Sequence, residues 1–489
     1  MMIWLAKRRH LLLVLILAGF HMLVWERGLA GDGWGYFSTI ESMIEDHDLD
    51  LTNNRYAVTN GIGYQASIGK WVAQYPPGLA LFDAPMYLLG KLAYARGWVH
   101  PRIPEGKMRS AYKEVNAQTL TRIMFVVLSH NLYALLAIVL IDLTLRRLGF
   151  SDGWSALVTA LAFFGSQLHF YAQNGMSHAV STCWSAAAAA ALAGICVQPE
   201  GRVRRWYRLG LAVGAVTIIR YAGVFFSFPV GLVLLVLYRG SFRRLIGHGL
   251  VFSAGMLSVL WVLPLYLKLQ VGGYFASTYT PNWHFDPLNP PLWNMLFSPR
   301  HGFFWYHPFF LIVVGTLLWA LVKGNYERPA RRLFAGAALL GLAALGVLHG
   351  FWYSWWGDSY SQRYLTEAIP FLAPGIAIFL AHGRRAWRTA VALGLTALSY
   401  GFFLLSNAGL AYDAMENGPG MYISDYRIIF DQRMTLGQIL HHLAHASFTF
   451  PAIERHALLI LVAFVLVLVA YVALGRARPP RAGTAEGRA

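Results

Sequence analysis

The chain has 489 residues, of which 57% are hydrophobic and only 13% are charged. Soluble domains carry about 25% charged residues, and here the apolar runs reach about 15–25 residues, so a soluble globular fold is excluded. The 40 Lys and Arg outweigh 23 Asp and Glu to give a net charge of +17, but the basic residues gather in short loops between apolar runs, so membrane topology explains them without nucleic acid.

The N-terminus reads Lys7-Arg8-Arg9, an apolar run, then Gly28-Leu29-Ala30. This imitates a secretory signal, but the spans that follow favour a retained first helix. Spans are expected at 11–25, 119–147, 154–172, 178–197, 206–219, 221–239, 248–268, 303–322, 333–352, 364–382, 388–406 and 457–474. The fold class is therefore all-α: a polytopic membrane protein of about 12 transmembrane helices, with interfacial juxtamembrane helices in the first outer loop. One domain covers 1–475, with that loop at 26–118 and an outer segment at 407–455. A disordered basic cytoplasmic tail follows at 476–489. Cys183 and Cys196 share one apolar segment and give neither a disulfide framework nor a metal signature.

Segment 79–97, with Asp83, Pro85, Lys91 and Arg96, decides the topology. If it does not cross, the basic clusters at 7–9, 146–147, 202–208, 239–244, 323–332, 384–388 and 476–488 all fall on the cytoplasmic side. If it crosses, every later cluster flips. It is therefore read as an interfacial helix at the outer surface, although Arg102, Lys107, Arg109 and Lys113 then lie outside. The outer connections are long, aromatic and acidic, so the active face is expected to be extracytoplasmic.

Candidate residues follow in chain order. Asp32, in Gly31-Asp32-Gly33-Trp34-Gly35-Tyr36-Phe37, suits a general base on an acceptor hydroxyl, or a solvated carboxylate capping a helix near Ser38. Trp34 and Tyr36 suit a sugar-stacking surface or a membrane interface belt. Glu41, Glu45 and Asp46-x-Asp48-x-Asp50 read as a solvated acidic face. The last has no glycine and distal glutamate of a calcium loop, so a divalent cation is compatible but not demanded. Lys70 faces a phosphate or snorkels, and Tyr75-Pro76-Pro77-Gly78 fixes an extended segment and a turn.

His178 closes the polar stretch Gln173-Asn174-Gly175-Met176-Ser177-His178 on the same face. Arg220-Tyr221 lies between two short spans, where an arginine pairs with a lipid phosphate or a loop carboxylate. Arg300 and His301, in Ser298-Pro299-Arg300-His301-Gly302, precede a helix start suited to an anion. In the dense stretch 351–364, Trp355, Trp356 and Asp358 suit a sugar ring and Arg363 suits a phosphate. His441 and His445 stand four apart, but no third metal ligand is evident.

These motifs, in this order, resemble the bacterial GT-C-fold glycosyltransferases, the superfamily of protein O-mannosyltransferases, aminoarabinose lipid A transferases and oligosaccharyltransferases. The carriers are Gly31–Tyr36, Tyr75-Pro76-Pro77-Gly78, Ser298–Gly302 and Trp355-Trp356-Gly357-Asp358 with Gln362-Arg363-Tyr364. The resemblance implies a polyprenyl-phosphate sugar donor used on the extracytoplasmic side, Asp32 as catalytic base, Arg300 and Arg363 as phosphate contacts, and inversion at the anomeric carbon. The acceptor is a glycan, lipid or protein, and the place is the bacterial inner membrane. Glycine follows Asp32 where many relatives have glutamate, and Asn174 to His178 stands where many have an aspartate. The resemblance therefore does not extend to a second acidic residue, and it implies no cofactor. The alternatives are a transporter or flippase for a lipid-linked or small solute, and a polymerase using a pyrophosphate-linked donor.

Overall fold

The computed structural model describes residues 9–24, 28–56, 61–99, 101, 115–199, 203–276, 278, 285–286, 291–323, 328–352, 354–355, 360–382, 385–416 and 427–444. The long helices, in chain order, are α1 Arg9–Val24, α2 Asp32–Glu41, α3 Gly78–Ala95, α4 Ala117–Arg147, α5 Asp152–Phe164, α6 His178–Val197, α7 Arg204–Ile219, α8 Tyr221–Tyr238, α9 Phe242–Val271, α10 Pro308–Lys323, α11 Pro329–Gly350, α12 Arg363–Ala381 and α13 Arg385–Glu416. Helices α8 and α12 each open with a 3₁₀ turn, Tyr221–Phe226 and Arg363–Ala368.

Among the described residues, seven helices are long and apolar enough to cross a bilayer: α4, α6, α8, α9, α11, α12 and most of α13. Helices α1, α5 and α10 are apolar but shorter. The expected span at 457–474 and the tail at 476–489 lie outside the described residues, as do 417–426 and 445–455 of the outer segment. The protein is a multi-pass membrane protein built on helices.

Two expected spans are broken where the sequence interrupts them. Pro308 has no N–H to donate and disfavours helical geometry at His307, which has φ −130°, so 303–322 becomes a turn at Phe303–Tyr306 followed by α10. Likewise α5 stops at Gly165, and Leu168–Tyr171 forms a separate turn. By contrast, α4 runs unbroken from an Asn116 cap, whose side chain accepts the Thr119 N–H at 2.8 Å, to Arg146 and Arg147 at its negative end.

Besides its helices, the chain has a small sheet. The first outer loop holds a β-hairpin, β1 Ile62–Gln65 and β2 Lys70–Ala73, antiparallel with Ile62 opposite Ala73 and Gln65 opposite Lys70. The backbone groups of this polar, glycine-containing stretch are satisfied by pairing across the turn. The hairpin is tied to the end of α9 and the segment after it: the Gln270 side chain donates to the Ala73 carbonyl at 3.1 Å and the Thr278 hydroxyl to that of Gln74 at 2.8 Å.

Helix α3, read as interfacial, is held against α4. It packs antiparallel to the first half of α4: Phe82 meets Tyr133, Asp83 bonds His130 at 2.8 Å, and Tyr87 and Gly90 meet Arg122. Of the expected acidic face, Asp46 and Asp48 are exposed, but the two glutamates are tied into the protein. Glu41 is buried and accepts from Tyr56 at 2.9 Å, with Arg122 at 3.6 Å, while Arg122 and Lys91 reach Glu45 at 3.5 and 2.8 Å. This network clamps the first outer loop to α3 and α4.

The bundle has two chemically different ends. At one, Arg331 of α11 donates to the carbonyls of Leu148 and Gly149, so basic loops meet there. At the other, the C-terminal ends of α7, α9 and α11 converge with the N-terminal ends of α2, α6, α8 and α12, and these ends line one cavity. The polar outer loops therefore gather at a single pole.

Candidate active site

The cavity at this pole has a volume of about 570 Å³. Its polar wall carries Asp32, Tyr36, Tyr75, Ser177, Arg220, His349 and Arg363; Val224, Phe225, Leu267, Phe285, Leu348 and Trp352 supply most of the apolar wall. A chamber of this size with a few convergent polar groups has the form of a small-molecule site.

Asp32 opens α2, so the helix begins at the carboxylate itself, six residues before the start near Ser38 that the pattern suggested. Gly31 precedes it at φ 47°, a conformation that favours glycine, and turns the chain out of the first span. At Gly33 a side chain would press on the Gly175 carbonyl oxygen, 2.9 Å from the position of a Cβ. Close packing of these two turns, with Ala30 N–H donating to Asn174 at 3.0 Å, fixes where Asp32 points.

Arg363 meets Asp32 across the cavity, Nη1 to Oδ2 at 2.8 Å. Its backbone is held from behind: Tyr171 donates to the Tyr360 carbonyl at 2.6 Å and Gln167 to that of Gln362 at 3.0 Å. Arg220, at the α7–α8 junction, has Nε 3.2 Å from Glu367 Oε1 and a guanidinium nitrogen 2.8 Å from His178 Nε2. The Tyr364 ring lies beside both guanidinium groups, at 5.2 Å from Arg363 and 5.6 Å from Arg220, and His349 stacks on it at 4.4 Å. Two cations and one carboxylate thus share one chamber, with both arginine side chains mostly withdrawn from water.

Tyr36 and Tyr75 stack at 5.1 Å on the same wall. Burial first, and the Asp32 charge second, raise the Tyr36 phenol well above its ordinary value, so it stays a neutral donor at physiological pH. Such an aromatic wall with two phenol hydroxyls suits a sugar ring.

The structure brings together Asp32, Tyr36, Tyr75, Arg220 and Arg363, with His178 directly behind Arg220. Other expected residues lie elsewhere. Lys70 is exposed at the hairpin, 4.0 Å from Asp50, and does not line the cavity. Arg300 is exposed, and its carbonyl accepts from Tyr306 at 3.0 Å. His301 is buried outside the cavity wall, and Trp34 packs on Tyr56 at 5.1 Å. Trp355 packs against the apolar core, whereas Trp356, Asp358 and His445 lie outside the described residues.

Asp48 and Asp50 take up local turn bonds with Ser42 and Thr52. Among the described residues no group of three His, Cys, Asp or Glu is arranged to hold a metal ion. Glu367 is the residue that sequence reasoning missed. Its signal was a lone carboxylate in the apolar run after Arg363, which is costly in a membrane unless paired.

Similar solved structures agree with this architecture. ArnT from Cupriavidus metallidurans, in the apo state, matches with a TM-score of 0.50 at 16% identity over 97% of this chain and 78% of its own. The same protein bound to undecaprenyl phosphate gives 0.51 at 17% identity with the same coverage. The chain has the GT-C fold. Archaeal oligosaccharyltransferase AglB from Archaeoglobus fulgidus, in complex with an inhibitory peptide and a dolichol-phosphate, matches at 0.46 and 14% identity, over 86% of this chain and 61% of its own. No protein-family model matches the sequence, and no curated relative matches it. The GT-C assignment therefore rests on three-dimensional likeness, and the chemistry rests on the cavity.

Proposed function

We propose that the chain is an integral membrane glycosyltransferase that moves a sugar from a polyprenyl-phosphate donor to an extracytoplasmic glycan, lipid or protein acceptor. The observation that carries this reading is the meeting of Asp32, Arg363 and Arg220 in one mostly apolar cavity at one pole of the bundle. The apolar wall suits a polyprenyl chain, and the guanidinium groups suit a phosphate. The tyrosine wall suits the sugar. The solved structure of ArnT with undecaprenyl phosphate supports a lipid phosphate in this fold.

In this reading the acceptor oxygen attacks the anomeric carbon from the face opposite the phosphate. The bond from that carbon to the phosphate oxygen breaks, and its electron pair leaves with the lipid phosphate. The acceptor proton passes to Asp32, and the configuration inverts. Preorganised positive charge at the leaving group lowers the barrier. The protein sits in the bacterial inner membrane with the cavity on the extracytoplasmic side.

The test is incubation of the purified protein with a panel of polyprenyl-phosphate sugars and candidate acceptors, following release of free polyprenyl phosphate. The expected result is release by the wild type that disappears in Asp32→Asn. Binding of these lipids without release from any of them would replace this reading with transport or a pyrophosphate-linked donor.

A further inference from the structure

The two cavity arginines are held differently. Arg220 is paired with Glu367, which stands behind the cavity wall and accepts the Ser181 hydroxyl at 2.6 Å, while its backbone carbonyl accepts from Ser185. That counter-ion is fixed from the α6 side. Arg363 is paired with Asp32, which lines the cavity itself. Among the described residues, Asp32 takes no other side-chain bond, so its carboxylate is the movable partner.

The pair is also shielded: the Arg363 side chain is 8% exposed and that of Asp32 16%. Little water is present to screen one charge from the other, so an anion that arrives beside Arg363 competes directly with Asp32. A phosphate offers the guanidinium fork more oxygens, and these can accept its parallel N–H donors. Meanwhile the Asp32 oxygen that faces Arg363 is engaged in the ion pair, which lowers its readiness to take a proton.

We propose that Arg363 exchanges partners during the reaction: Asp32 in the empty cavity, the donor's phosphate in the loaded one, so that donor binding itself frees Asp32 to take the acceptor proton. This rests on the glycosyltransferase reading above. No covalent bond changes in the exchange; one ion pair is replaced by another. The transfer step then follows, with the acceptor proton going to Asp32 and the lipid phosphate departing. Loss of that proton and return of Asp32 to Arg363 help expel the lipid phosphate. The empty site is thereby kept from activating water, and donor binding precedes activation of the acceptor.

The test is a binding titration of the full chain in detergent with undecaprenyl phosphate, with neutral undecaprenol as control. Because Asp32 competes with phosphate, Asp32→Asn is expected to bind undecaprenyl phosphate roughly tenfold more tightly than the wild type, the scale of a coupling between two ligands of one group. Undecaprenol affinity should not change, and the gain should vanish in an Arg363→Ala background. Asp32→Ala carries the same expectation should the asparagine variant fail to fold. Equal or weaker binding by both variants, while the wild type binds, overturns the exchange and leaves the transferase reading standing. An equal gain for undecaprenol assigns the effect to cavity space and also overturns it. Failure of the wild type to bind undecaprenyl phosphate overturns the donor reading and the exchange together.

Discussion

Glu367 Oε1 lies 3.2 Å from Arg220 Nε, and both groups are withdrawn from water at the junction of α7, α8 and α12. A buried pair of this kind contributes little compared with apolar residues of the same shape, but breaking it leaves one charge stranded. Glu367→Ala is therefore expected to destabilise the protein by about 3–5 kcal/mol, seen as a lower melting temperature in detergent. The double replacement Arg220→Met with Glu367→Leu should recover most of the loss while abolishing transfer. A single variant that melts with the wild type would show that Arg220 has another counter-ion.

Asp32 lies in the cavity that holds both arginines, and Asn preserves its size. As the removal of a general base, Asp32→Asn should lower turnover roughly 10²–10⁴-fold while the fold persists. Assay of polyprenyl phosphate release at saturating donor reads this directly. Undiminished turnover would remove Asp32 as base.

Gly33 tests the placement of that carboxylate without touching it. An alanine there would bring a Cβ to 2.9 Å from the Gly175 oxygen and 3.2 Å from its carbon, so the turn that carries Asp32 must shift. Displacement of a reacting group by a fraction of an ångström to one ångström costs up to roughly 10²-fold in rate. Gly33→Ala should thus lower kcat well beyond its effect on melting temperature. Normal kcat would mean that the α2 turn slides without moving Asp32.

How much of this was written in the sequence follows from how local each signal was. Asp32, Tyr36, Tyr75 and Arg363 sit in glycine-, proline- and aromatic-rich stretches at span ends, where local pattern and position coincide, and the structure gathers them. Arg220 was visible as an arginine at a span end, with a lipid phosphate or a loop carboxylate as its expected partner; the carboxylate it meets comes from within α12. Glu367 was obscured because one carboxylate barely alters a strongly apolar run. Lys70 and Arg300 were placed by sequence neighbourhood alone. The hairpin register sets Lys70 opposite Gln65, away from the cavity, and a four-residue strand carries too little alternation to announce itself.

The clamp on the first outer loop gives an acid-sensitive contribution to stability. Burial alone would raise the Glu45 carboxyl, but the Lys91 hydrogen bond, the Arg122 charge and the Tyr87 hydrogen bond hold it below the ordinary glutamate range. A depressed folded-state value contributes stability that is present above the unfolded value of about 4.3 and is lost as pH falls through the folded value. The wild type should therefore lose melting temperature below about pH 4.3, and Glu45→Gln should show a shallower decline from a lower neutral-pH starting point. Parallel profiles would show that Glu45 is not part of the acid response.

The course of α3 fixes the sidedness of everything after it. Phe82 and Asp83, near its start, meet Tyr133 and His130 midway along α4, whereas Gly90, near its end, meets Arg122 by the α4 start. The helix therefore climbs back along the first half of α4 and does not continue past it. Asp32 lies at the cavity pole, and Leu148, just after α4, meets Arg331 at the opposite pole. The segment between Asp32 and the α4 start thus begins and ends at the same pole, which requires that α3 does not cross. The proposed function puts the cavity pole outward, with the basic loops on the cytoplasmic side. A reporter enzyme fused after Lys113 should be active on the extracytoplasmic side, and one fused after Phe150 on the cytoplasmic side. The opposite pair of signals would invert the topology and place Asp32 in the cytoplasm, where the proposed acceptor is absent.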